Sequence, residues 1–215
     1  AVSVWASGRL GVMIVASGRR RFFNASTASG SNKLSPLFAT MTGSRTIGFE
    51  LVEQLGWKAP RNIVHPFAAG LSLWQIYHAL TEFNALGLLS NLETSMHAVQ
   101  PFQSKPFVGG WENYKRTGTF ELERIDNPTS IADTLCVARP SNADQGFDVL
   151  RKSNGSAVTV SEEEIVHGMN FVSRYTEKYG TGPVGGVVIA GARKLVKIGY
   201  IKSDELTVAV LTDGF

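Results

Sequence analysis

Carboxylates are missing from the first 49 positions of this 215-residue chain, and Glu50 is the first acidic residue. Six cations stand there: Arg9, Arg19, Arg20, Arg21, Lys33 and Arg45. They carry +6 against a net +3 for the whole chain, so residues 50–215 sum to −3. The pI of about 9.1 therefore belongs to the N-terminal stretch. The mildly acidic remainder does not read as a nucleic-acid surface. Cysteine is nearly absent. Cys136 stands alone, which excludes an intramolecular disulfide and disfavours structural zinc. The four histidines (His65, His78, His97, His167) show no metal-ligand spacing, and no metal site is expected. The apolar run LGVMIVA is too short to span a bilayer, so no membrane-spanning segment is expected. There is no Gly-x-Ser-x-Gly elbow, no Walker loop, no Cys-x-x-Cys, no internal repeat and no heptad.

What is present divides into two parts, residues 1–43 and 44–215. The first is rich in Arg and Ser without carboxylates, the composition of a mitochondrial or plastid transit segment. A secretory signal fits the triple Arg after the apolar run poorly. A third reading is a basic arm that docks on an acidic or RNA surface. The second part is apolar enough, in a chain 43% hydrophobic and 18% charged, to bury a sizeable core.

From residue 44 the pattern is that of an α/β layer. SRTIGFELVEQLGW puts Ile47, Phe49, Leu51, Val52 and Leu55 on one broad helical face, with Gly56 as a stop. IVHPF reads as a strand, and SLWQIYHALTEFNALGLL as a helix. Three prolines and several glycines predict irregular structure over 100–128. A helix is expected around Asp144–Lys152, then a strand in AVTV. Ser161 and Glu164 form a capping box for the helix that follows, and Gly180 should end it. TGPVGGVVIAGARKLVKIGYI predicts a Gly-rich turn running into a helix of small residues, and LTVAVLTDGF a final buried strand.

These segments, in this order, resemble threonine synthase and its fold-type II relatives that depend on pyridoxal phosphate. The likeness covers residues 44–215 and the second half of that family's large domain. SRTIGFELVEQLGWKAPRNIVHPFAAG resembles the helix and strand leading to the phosphate loop. NPTSIADTLCVARPSNADQGFDVL resembles the T-I-A-x-A-I-x-I-G-x-P segment. The stretch from VTVSEEEIV to LTDGF parallels a run of helix, E-P-A-G-G, helix, strand and T-G-N-G. The fold implied is a partial parallel-sheet large domain of that enzyme class. The chemistry implied is a Schiff-base lysine, an anion nest for the cofactor's phosphate, and a hydroxyl near its pyridine nitrogen.

Compared part by part, the match is incomplete. Nothing resembles the lysine segment N-P-T-G-S-F-K-D-R, and no stretch corresponds to the small domain with its S-S-G-N-type loop. In the phosphate loop the matching positions are Phe67, Ala68, Ala69, Gly70, Leu71 and Ser72. Phe67 and Leu71 are expected to bring apolar bulk into an anion's path, and Ser72 to cap the next helix. Gly182 replaces the acidic residue of E-P-A-G-G, while Gly185 and Gly186 remain. Thr212 stands near the position that would face a pyridine nitrogen. Gly70, Ser72, Gly185, Gly186 and Thr212 are thus the candidate cofactor-binding residues, read as vestigial, with no catalytic residue.

The resulting expectation is a catalytically inactive, threonine-synthase-like subunit of an organellar assembly such as a respiratory complex or ribosome. Mitochondrion stands before plastid. No bound cofactor is expected, partners are other subunits of the complex, and the Arg-rich arm is a further candidate for RNA contact. Two alternatives stay open. One is a threonine synthase converting O-phosphohomoserine to threonine and phosphate, completed by another chain and using pyridoxal phosphate. The other is a small anion-binding module.

Overall fold

The computed structural model describes residues 12–16, 34–175 and 180–213. Most of the stretch read as a transit or docking arm lies outside them, as do the residues just before Gly180. In chain order the elements are β1 (Val12–Ala16), α1 (Leu34–Gln54), β2 (Asn62–Pro66), α2 (Leu71–Ala85), β3 (Ser95–Pro101) and α3 (Pro106–Thr117). A 3-10 turn at Asp133–Leu135 leads to α4 (Ala143–Lys152), β4 (Ser156–Val160), α5 (Glu162–Tyr175), α6 (Pro183–Lys197) and β5 (Thr207–Leu211). Helix α1 runs across the boundary drawn at residue 43, and β1 joins the sheet.

All five strands are parallel, in the order β1-β5-β2-β3-β4. Successive side chains of a strand point to opposite faces, and helices cover both faces of a parallel sheet. Ile63, Phe67, Met96, Ala98 and Val208 accordingly pack on one side with Leu51, Leu73, Ile76, Leu80 and Leu150 of α1, α2 and α4. Val64, Val99, Val158 and Ala209 pack on the other with Ile165, Val187, Val188 and Leu195 of α5 and α6.

The chain crosses the sheet from β1 through β2 and β3 to β4, then returns over the opposite face and inserts β5 between β1 and β2. Strand order therefore reverses between β2 and β5. Open α/β sheets bind ligands in the crevice at the carboxyl ends of such strands.

The stretch expected to be irregular holds the end of β3 and all of α3. Pro106 is at the first helical position, where its missing N–H costs nothing, and Gly118 stops the helix with φ +81°. Gly109 and Gly110 are positions where the 121–123 segment lies against the helix, not breaks in it. The capping box is formed: the Ser161 N–H donates to Glu164 Oε2 at 2.8 Å, and the Glu164 N–H to Ser161 Oγ at 3.2 Å.

At the amino ends of the strands a buried polar chain ties three strands together. His97 Nδ1 lies 2.9 Å from Ser156 Oγ, and His97 Nε2 lies 3.1 Å from Asn62 Oδ1. Asn62 Nδ2 donates to Glu205 Oε2, which orients the Asn62 amide. His97 must then carry its proton on Nε2 and accept the Ser156 hydroxyl on Nδ1.

Candidate functional site

The loop after β2 begins as a continuation of the sheet, with the Phe67 N–H donating to the Val99 carbonyl at 2.9 Å. Phe67 shares a strand face with Ile63, so its ring turns down into the core. It is fully buried and stacks on Phe107, ring centroids 3.8 Å apart. The expectation that Phe67 blocks an approaching anion is corrected by this orientation. Its bulk supports the loop from below.

Each carbonyl that opens a peptide of this loop is occupied from the protein side, except that of Ala68. The Phe67 carbonyl accepts Gln100 Nε2 at 3.1 Å. The Ala69 carbonyl accepts the Asn142 N–H at 2.9 Å, and the Gly70 carbonyl the Trp74 N–H at 3.2 Å. Gly70 has φ +90° and ψ −8° and is the residue before α2. A left-handed residue followed by right-handed ones is the backbone arrangement that makes an anion-binding concavity. Among the described residues, the backbone N–H groups of 68 to 73 have no acceptor. Ala68, Ala69, Leu71 and Ser72 are half-buried, within reach of solvent.

Ser72 is not the cap that the sequence reading made it. Gly70 holds the N-cap position, and no side chain caps α2. Ser72 falls in the first turn, where a hydroxyl and free N–H groups together suit an anion. Gly70 itself has no room for a side chain. A β-carbon there would lie 2.7 Å from Phe67 Cζ and 2.8 Å from the Asn142 carbonyl oxygen.

Beside this loop the chain leaves β5. The β2–β5 register pairs Val64 with Ala209, and its continuation sets Thr212 level with Phe67. Thr212 is exposed. Asp213 turns back to the start of α6, taking the Val184 N–H at 2.8 Å, the Gly185 N–H at 2.7 Å and the Thr181 hydroxyl at 3.2 Å. Gly185 is thus engaged in holding α6 to the end of β5. Gly186 lies where α6 crosses α5, against the Ile165 carbonyl and Met169. Gly70 and Ser72 share one loop, Thr212 stands at the neighbouring strand end, and Gly185 and Gly186 form the helix that backs it.

Three residues of this edge are given no binding role by the sequence. Gln100 is fully buried in the otherwise apolar AVQP, and such a polar residue was a usable signal. Asp213 stands beside Thr212 in LTDGF, and its clasp on the start of α6 carries no local signal. His65, two residues before Phe67, places Nδ1 2.6 Å from the Pro66 carbonyl, while Nε2 is buried without a partner. Desolvation lowers its pKa to about 4, so the ring is neutral. Among the described residues no His, Cys, Asp and Glu cluster suits a metal, and no helix is long and apolar enough to cross a membrane.

The family model for pyridoxal-phosphate dependent enzymes matches residues 17–213. Threonine synthase of Methanosarcina acetivorans is 32% identical over 181 residues, 84% of this chain and 43% of that protein. Threonine synthase of Methanocaldococcus jannaschii is 29% identical over the same shares. The chain thus spans less than half the length of these relatives. Among solved structures, the processed form of threonine deaminase isoform 2 from Solanum lycopersicum superposes with TM-score 0.62 at 18% identity, covering 81% of this chain and 46% of that one. Maize serine racemase gives 0.60 at 18% identity, covering 81% and 48%. At these identities the structures show a shared fold. The family match overturns the expectation that no cofactor is involved, and the run of open N–H groups removes the structural argument behind it.

Proposed function

The chain belongs to the pyridoxal-phosphate dependent enzyme family, and we propose that it forms the cofactor-phosphate-binding part of a threonine-synthase-like enzyme. The observation that carries this reading is the run of backbone N–H groups from 68 to 73 without an acceptor among the described residues, of which Ala68, Ala69, Leu71 and Ser72 lie within reach of solvent. These groups and the Ser72 hydroxyl would hold the phosphate. Thr212 would face the pyridine nitrogen, while Gly185 and Gly186 seat α6 behind it. Pyridoxal phosphate, when bound, supplies an electron sink for negative charge developing beside a substrate amine.

Two of the chain's lysines are already engaged. Lys105 Nζ stands 3.3 Å from Glu123 Oε2. Lys194 donates to the Thr159 carbonyl at 2.8 Å. We assign conversion of O-phosphohomoserine to threonine and phosphate to this chain together with the part of its relatives that it does not span. The amine that engages the cofactor would come from there.

Calorimetric titration with pyridoxal phosphate, pyridoxal and inorganic phosphate tests the site. The expected result is binding of pyridoxal phosphate and of phosphate at one competitive site, with pyridoxal far weaker. Absence of binding by both phosphate-bearing ligands would sink the reading.

The carboxylate-free stretch before Glu50 favours a second reading. In it the protein is a non-catalytic accessory subunit of an organellar assembly, mitochondrial before plastid. The native mass of the endogenous protein tests this. Migration far above the 23.3 kDa of the chain supports the subunit, and a small free species with cofactor-dependent turnover removes it.

A further inference from the structure

Gln100 sits at the end of β3 with no exposed surface, and its amide has one assignment. Oε1 accepts the Phe107 and Val108 N–H groups, each at 3.0 Å, so only Nε2 is left to donate to the Phe67 carbonyl. It joins two things that are far apart in sequence, the first turn of α3 and the first peptide of the loop after β2.

The carbonyl of Phe67 and the N–H of Ala68 belong to one planar trans peptide and point in opposite directions. Whatever holds that carbonyl inward turns the Ala68 N–H outward. The Ala69 and Gly70 carbonyls are held the same way by backbone donors, Asn142 and Trp74. The Phe67 peptide alone is held by a side chain. Released, it could rotate and present a carbonyl dipole where an anion is to bind.

We propose that Gln100 is a positioning residue for the anion site: it orients the Ala68 N–H and makes that orientation depend on the seating of α3. This rests on the phosphate-binding reading above.

Gln100→Glu separates the two contacts. Its carboxylate still accepts both N–H groups of α3, a favourable place for negative charge, but has no proton for the Phe67 carbonyl. At pH 8, binding of inorganic phosphate and of pyridoxal phosphate is expected to weaken about tenfold, the worth of one buried hydrogen bond. Pyridoxal affinity should not change. His97→Gln, nearer the amino end of the same strand, is the control that lowers the melting temperature without changing phosphate affinity. If Gln100→Glu does not fold, the uncharged and similarly shaped Gln100→Met is measured against the same expectation.

A folded Gln100 variant that binds phosphate like the parent would overturn the positioning role and leave the site standing. A parent that binds neither phosphate nor pyridoxal phosphate would overturn both.

Discussion

Gly185 and Asp213 close the molecule across 28 residues: the Gly185 N–H donates to Asp213 Oδ1 at 2.7 Å. The other carboxylate oxygen takes the Val184 N–H. A side chain distant in sequence thus does for α6 what a local cap does elsewhere, since the residue before the helix, Gly182, has no side chain to offer. A β-carbon at Gly185 would collide with the Thr181 hydroxyl, so only glycine admits this clasp.

Asp213→Ala should therefore cost about 2 kcal/mol of stability, the range for losing an N-cap with a charged acceptor. Asp213→Asn, which keeps one carbonyl acceptor, should lose about half of that. Urea denaturation of both variants reads the difference, and an unchanged midpoint for the alanine variant would show the clasp to be energetically idle.

Close crossing of α5 and α6 predicts a sharp contrast between two glycines. A β-carbon on Gly186 would stand 2.6 Å from the Ile165 carbonyl oxygen and 2.7 Å from Met169 Cγ. Gly186→Val should destabilise by roughly 3 kcal/mol or prevent folding, because helix backbones would have to separate. Gly43, in α1, has nothing within 4 Å of the same position. Gly43→Ala should stabilise by about 0.5–1 kcal/mol, from helix propensity and a less flexible unfolded chain. Equal effects at the two positions would contradict the packing described.

Gly70→Ala adds a β-carbon to a residue with φ +90°, against Phe67 and the Asn142 carbonyl. The strain of about 1–2 kcal/mol can be relieved by turning the Gly70 peptide, which would redirect an N–H of the anion loop. Phosphate binding should weaken more than the melting temperature falls in step with Asp213→Ala. Parallel calorimetry and thermal melts of the two variants decide it.

Acid should destabilise the fold well above the carboxylate range. Burial lowers the pKa of both His65 and His97 to about 4, from 6.5; for His97 the charge of Glu205 partly opposes the shift. The folded state favours the neutral rings, so the unfolded chain takes up protons first. Stability is full above pH 6.5, falls as pH drops towards 4, and levels off below for these two groups. Each contributes a loss of up to roughly 3 kcal/mol. Urea midpoints at pH 7.5 and pH 5 should differ clearly, and His97→Gln should flatten the dependence. Identical midpoints at the two pH values would contradict the burial of these rings.

Much of the scaffold was readable because its signals are local. The 3.6-residue spacing of Leu73, Ile76, Leu80 and their neighbours marks α2. Ser161 and Glu164 announce the start of α5 by a bond pattern that four consecutive residues suffice to make. Helix α3 was missed because Pro106, Gly109 and Gly110 were counted as breakers. A proline at the first position and glycines under a crossing segment are compatible with a helix, and only the neighbouring segment reveals the second.

The anion loop divides the two sources of information most clearly. Sequence by itself determined where the loop is and that a helix follows; the left-handed turn at Gly70 is seen in the structure. The sequence reading puts the Phe67 ring in the anion's path, whereas the structure buries it in the core against Phe107. Whether the loop offers donors or acceptors was decided by tertiary structure alone. Peptide orientation is set by whatever pairs with each carbonyl, and here those partners are Gln100 on β3 and Asn142 before α4. Both come from segments that meet the loop only once the sheet is assembled.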